Sequence, residues 1–169
     1  MSDTRHNSDR PPIGPGTLLF GIGNSGRGDD GLGWAFVDQI LEAPAFAGRA
    51  EYRYQLQVED AALISRAARV VFVDSYNGEL PGGFRWQPCE PSESFEFTTH
   101  VLPPRAILYY CQDLYGKTPP ADVLMIQGTS WDLGAGLSPE AEERLQRARP
   151  QDLVAQRREP AGREEDRED

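Results

Sequence analysis

The stretch Gly21-Ile22-Gly23-Asn24-Ser25-Gly26-Arg27-Gly28-Asp29-Asp30-Gly31-Leu32-Gly33 decides how this chain is read. An apolar run, residues 17–20, leads into it, and an amphipathic run, residues 34–41, leads out. That order is strand, tight turn, helix. Six glycines in thirteen residues make a platform of bare backbone, which other groups can approach closely. Two neighbouring carboxylates, Asp29 and Asp30, stand where the helix should begin. Three readings compete for them. Either can cap the helix, because Asp is a preferred N-cap and negative charge suits a helix N-terminus. Gly21, Gly23 and Gly26 also fit the G-x-G-x-x-G dinucleotide fingerprint. A pyrophosphate on that helix N-terminus, however, would meet the charge of both aspartates. The third reading presents a carboxylate to a metal or to a reacting bond.

Outward from this stretch the chain alternates strand and helix. Residues 17–22 read as a buried parallel strand. Leu32, Phe36, Val37, Ile40 and Leu41 recur at helical spacing over 32–42. Tyr52, Tyr54, Leu56 and Val58 alternate with polar residues, which predicts a half-exposed strand over 52–58. Glu59 and Asp60 read as solvated caps of a short helix over 61–67. Residues 70–73 are four apolar strand residues ending in Asp74. An Asp there is either a turn former ahead of Asn77-Gly78 or a functional group on the ligand-bearing edge of an open α/β sheet. Residues 84–89 predict a fourth strand near an edge, with antiparallel pairing left open. A helix is expected from Pro103 or Pro104 to Tyr115, with Ala106, Ile107, Tyr110 and Leu114 as its apolar face, and Gly116 ends it. Residues 123–126 predict a fifth strand, residues 131–138 a loop, and a last helix starts at Pro139 with Ser138 as N-cap.

The chain has two histidines, and His6 falls in a polar, Pro- and Gly-containing tail. Any imidazole chemistry therefore rests on His100, whose other reading is a histidine hydrogen-bonded at a helix start. Cys89 and Cys111 lie in no metal-binding spacing and read as structural. The 169 residues fit one domain, set at 17–157 between a disordered tail over 1–16 and a charged one over 158–169. A net charge of −10 disfavours nucleic acid and anionic membrane as partners. No signal peptide or membrane span is visible, which reads as a cytoplasmic protein with reduced thiols.

The motif G-I-G-N-x-x-x-G-D-D-G-x-G resembles the opening signature of the [NiFe]-hydrogenase maturation endopeptidases. Val70 to Ser75 resembles that family's second signature, an apolar strand followed by Asp and a small residue. Thr99-His100-x-Leu102-x-Pro104 resembles the third, an imidazole just before a helix, although the family usually has Ser where Thr98 stands. Gly134-Ala135-Gly136-Leu137-Ser138 resembles a further stretch that often has Glu where Ala135 stands. The resemblance covers residues 17–149. It implies an α/β three-layer sandwich of the phosphorylase/hydrolase-like kind, with a twisted, mostly parallel sheet of about five strands flanked by helices. It implies a cytosolic endopeptidase that removes the C-terminal extension of a hydrogenase large-subunit precursor. It also implies that Asp30, Asp74 and His100 bind the nickel supplied by that substrate, with no permanent cofactor. Two carboxylates and an imidazole suit a divalent transition metal with open positions. No Ser-His-Asp or Cys-His grouping is evident, which argues against a covalent acyl mechanism. The alternatives are a peptidyl-tRNA hydrolase-like esterase, which has a related fold but needs its histidine at a different position and a surface that does not repel tRNA, and a non-catalytic nucleotide-binding module. The Thr-Arg-His-Asn at residues 4–7 resembles a piece of that esterase signature but precedes the Gly-x-Gly-Asn strand that it follows there, and reads as chance.

Overall fold

Thr17–Ile22 form strand β1, buried at all six positions, as its unbroken apolar run requires. A computed structural model describes residues 13–93 and 102–150. In it β1 lies between β2 (Arg49–Arg53) and β3 (Arg69–Tyr76), followed outward by β5 (Ala121–Gln127) and β4 (Phe84–Pro88). The first three strands and β5 pair in parallel, and β4 closes the edge antiparallel to β5. Four helices accompany the sheet: α1 (Leu32–Leu41), α2 (Asp60–Ser65), α3 (Pro104–Tyr115) and α4 (Pro139–Ala148). A single 3-10 turn, Gly28–Gly31, stands between β1 and α1. No helix among the described residues is long and apolar enough to cross a membrane.

The pleat sorts the core into two layers. Leu19, Val71, Val73, Leu124 and Ile126 face α1 and α4. Leu18, Phe20, Ile22, Val70 and Phe72 face α2 and α3. Phe20 and Phe72 are register partners and stack with centroids 5.6 Å apart. Trp86 of the edge strand is buried, and its indole N–H donates to the Ala148 carbonyl at the end of α4. The expected three-layer α/β sandwich with a five-stranded, mostly parallel sheet is the observed one. Gly116 ends α3 at φ 70°, and the Ser138 hydroxyl accepts the Ala141 N–H at the start of α4, as anticipated.

Several boundaries differ from the expectation. Strand β2 is Arg49–Arg53, not 52–58, because β1 ends at Ile22, which pairs with Arg53, and offers nothing beyond it. Tyr52 and Tyr54 alternate in sequence, yet both lie against Trp34 at the sheet margin. Asp60 is no solvated cap: it is 4% exposed and receives the Arg53 guanidinium and the Gln57 N–H. On α3 the buried residues are Ala106, Ile107, Leu108 and Cys111, while Leu114 is exposed. Leu41 on α1 is likewise exposed. Ile13, assigned to the N-terminal tail, packs into the α1 layer of the core.

The close approach of α1 to the sheet depends on Gly33. A Cβ there would stand 2.5 Å from the carbonyl oxygens of both Ile22 and Val73. The opposing residue on β1, Gly21, is equally tight against the Gly33 carbonyl. Gly33→Ala is expected to lower stability by about 2–3 kcal/mol, because backbone on both sides must give way. Gly14→Ala, whose Cβ meets nothing within 4 Å, is the control and should change little. Denaturant unfolding of the two variants checks the difference.

Candidate active site

The signature turn separates its two aspartates. Neither makes a side-chain cap bond to α1, so the helix-cap reading does not hold. Asp29 is 0% exposed and points away from the helix, into the chain 100 residues further on. Its carboxylate accepts the backbone N–H groups of Thr129 at 2.7 Å, Ser130 at 2.9 Å and Ser138 at 2.7 Å. It also accepts the Ser138 hydroxyl at 2.7 Å. The backbone of the same turn adds bonds from Asp29 N–H to Ser130 carbonyl and from Gly28 N–H to Ala135 carbonyl. Burial works to raise the Asp29 carboxyl. The bonds from Thr129, Ser138 and Ser130 outweigh it and hold the group below the ordinary carboxylate value. The 131–138 loop, whose role the sequence left open, is thus the wall that Asp29 holds in place.

Asp30 remains partly exposed on the rim formed by the C-terminal ends of the strands. Asp74 belongs to that rim too. Strand β3 continues to Tyr76, but its pairing with β1 stops at Val73, so Asp74 stands in the gap above the β1 turn. A gap of this kind, where neighbouring crossovers leave on opposite faces, is where open α/β sheets carry their ligands. Ser75 joins the two carboxylates. Its backbone N–H donates to Asp74 Oδ1 at 2.8 Å, and its hydroxyl donates to Asp30 Oδ1 at 3.3 Å. The sequence identified Ser75 only as the small residue after Asp74.

Burial pushes the Asp74 carboxyl up to about 7, and the negative charge of Asp30 adds to the rise against the Ser75 N–H. A carboxylate pair with one member so disfavoured in its ionised form gains most from a cation between them. Among the described residues no third His, Cys, Asp or Glu joins them. His100, the remaining candidate, lies outside the described residues. Burial pushes the Cys89 thiol up to about 11, and Cys111 is buried with its thiol donating to the Lys117 carbonyl. Both cysteines are the structural residues the sequence suggested, and neither is an activated nucleophile.

The two aspartates invite contrasting substitutions. Asp29→Ala leaves three backbone N–H groups without an acceptor and is expected to cost about 3–5 kcal/mol of stability. Asp30→Ala should stay within about 1 kcal/mol, and chemical denaturation distinguishes the two. For Asp74 the native pKa lies above the unfolded value of 3.8. Between 3.8 and about 7 the native state holds a proton that the unfolded state releases, so stability falls as pH rises through that window. Asp74→Asn removes this loss. The variant is expected to exceed the parent by about 1–4 kcal/mol at pH 8, and by progressively less towards pH 4, in unfolding measured across pH.

The sequence matches no protein-family model and no curated protein, and its likeness to known proteins lies in the solved structures. The hydrogenase maturating endopeptidase HybD from E. coli superposes with a TM-score of 0.64 at 18% identity, over 83% of this chain and 91% of that one. The [NiFe] hydrogenase maturation protease HycI from Thermococcus kodakarensis gives a TM-score of 0.60 at 26% identity, over 83% and 90%. HybD from the same organism gives 0.56 at 23%, over 83% and 97%. The shared fold spans nearly the whole of each of these proteins, and the signature residues fall at the ends of β1 and β3 in this chain. The chain therefore shares its fold with solved hydrogenase maturation endopeptidases, and its signature aspartates Asp30 and Asp74 lie on the sheet rim of that fold.

Proposed function

We propose that the protein is a cytoplasmic endopeptidase that removes the C-terminal extension of a [NiFe]-hydrogenase large-subunit precursor after nickel insertion. Asp30, Asp74 and His100 recognise the nickel carried by that substrate. The observation that carries this reading is the pairing of Asp30 and Asp74 through Ser75 on one rim. Their chemistry fits the role. Two carboxylates and an imidazole contain no thiolate, so they bind nickel less firmly than a sulfur-rich centre does. The enzyme therefore engages a metal that stays with its substrate, and it needs no resident ion.

Asp74 links this recognition to protonation. At neutral pH its carboxyl is poised near half-ionised, and a cation held against it displaces the proton. Ser75 donates to one oxygen of each carboxylate and so links the two. A precursor without nickel lacks the bridge and docks poorly, so the same residues act as a check that metal loading is complete. An acyl-enzyme route has no support among the described residues, where neither cysteine is activated.

The test incubates the purified protein with nickel-loaded and nickel-free large-subunit precursor and weighs the products. The loaded precursor is expected to lose its C-terminal extension and the nickel-free precursor to remain intact. Equal cleavage of both would end the metal-recognition reading, and cleavage of neither would end the peptidase assignment. Asp30→Ala, Asp74→Ala and His100→Ala should each reduce cleavage by more than about 100-fold, the upper end of what loss of even a supporting group does at a metal site.

A further inference from the structure

A groove of about 500 Å³ opens beside the signature turn, between α1, β2 and the 131–138 loop. Trp34, Tyr52 and Leu137 form its apolar walls, and Asp38 stands at one side. Trp34 is fixed: its indole N–H donates to the Arg53 carbonyl at 3.0 Å, and its ring packs against both Tyr52 and Tyr54. The opposite wall is the loop anchored by Asp29. There, no backbone hydrogen bond among the described residues engages Gly136 or Leu137, so this stretch of the wall carries unpaired main-chain groups. Ser25, Gly28 and Gly31 of the signature turn line the same groove, Gly31 being the residue after Asp30.

We infer that this groove seats an extended segment of the substrate chain next to the scissile bond, with an apolar side chain against Trp34 and a basic one at Asp38. The inference rests on the peptidase reading of the rim. Three features select a peptide over other ligands. Unpaired backbone groups on one wall suit an extended main chain, as in strand addition. A fixed aromatic pair supplies a rigid anchor at small entropic cost. Asp38 is exposed, holds only the Tyr52 hydroxyl, and pairs with no cation among the described residues. On a chain of net charge −10, that leaves a basic side chain as its complement.

Gly136 makes the inference testable without disturbing the fold. It lines the groove, and a Cβ built on it meets nothing within 4 Å. Gly136→Leu therefore fills the groove from a position where the loop has room. Two readouts use the full chain. One is steady-state cleavage of nickel-loaded precursor. The other is binding to an array of overlapping synthetic peptides that span the precursor's C-terminal region. Gly136→Leu is expected to raise KM about tenfold, the effect of losing one well-buried contact, with kcat within about twofold and an unchanged melting temperature. Peptides bound by the parent should be lost in step. Asp38→Lys should selectively lose the peptides that carry Arg or Lys. An unchanged KM, a fall in kcat alone, or failure of the parent to bind any peptide would overturn the inference. If the parent binds peptides that Gly136→Leu loses, yet cleaves no precursor, the groove assignment stands and the peptidase assignment falls.

Discussion

A buried carboxylate that collects three backbone N–H groups holds the working end of this protein together. Asp29 sits at the turn after the first strand, while its partners follow the fifth, and no regular hydrogen-bond ladder joins these segments. Without it the turn and the 131–138 loop would be two exposed connections held by a few backbone bonds. With it, Asp30 is presented on one side of a fixed turn and the loop forms a fixed wall on the other. Gly33 contributes the second half of the same constraint, because only a bare α-carbon lets α1 lie low enough to bring the turn over β3.

Three aspartates within one small region therefore meet different fates, and solvation explains them. Asp29 is fully enclosed but exchanges its water for directed N–H and O–H donors, which keeps it ionised at little electrostatic cost. Asp74 is enclosed with a single backbone donor and a like charge nearby, so its ionised form is the costly one. Asp30 keeps partial contact with water. The chain thus places a well-bonded charge behind the rim and two carboxylates joined only through Ser75 on it.

Much of this was legible in the residues, and the rest failed for identifiable reasons. The unbroken apolar run of β1, the Pro start and Gly stop of α3, and the Ser138 cap of α4 are local signals with local causes. Asp30 stood out as one of two carboxylates where the first helix should begin, and Asp74 as the residue that closes an apolar strand run. Strand β2 was misplaced because alternation at a sheet margin records contact with a neighbouring ring as well as with a core; Tyr52 and Tyr54 answer to Trp34. Asp29 could not be told from Asp30, since its partners lie 100 residues away in a loop without periodicity. The groove was hidden for the same reason. Its walls are one helix residue, one strand residue and one loop residue, each unremarkable in its own segment.

The placement of the tryptophans gives the molecule an optical property of its own. Trp34 lines the groove with two tyrosine rings close enough to pass excitation to it, so its emission depends on what lies against its face. Trp86 is shielded between β4 and the end of α4, and its emission depends on whether the sheet edge is intact. One chromophore is exposed to occupancy and another to the integrity of the fold. Replacing Trp131 together with either of them leaves a single tryptophan, whose emission reports a single event.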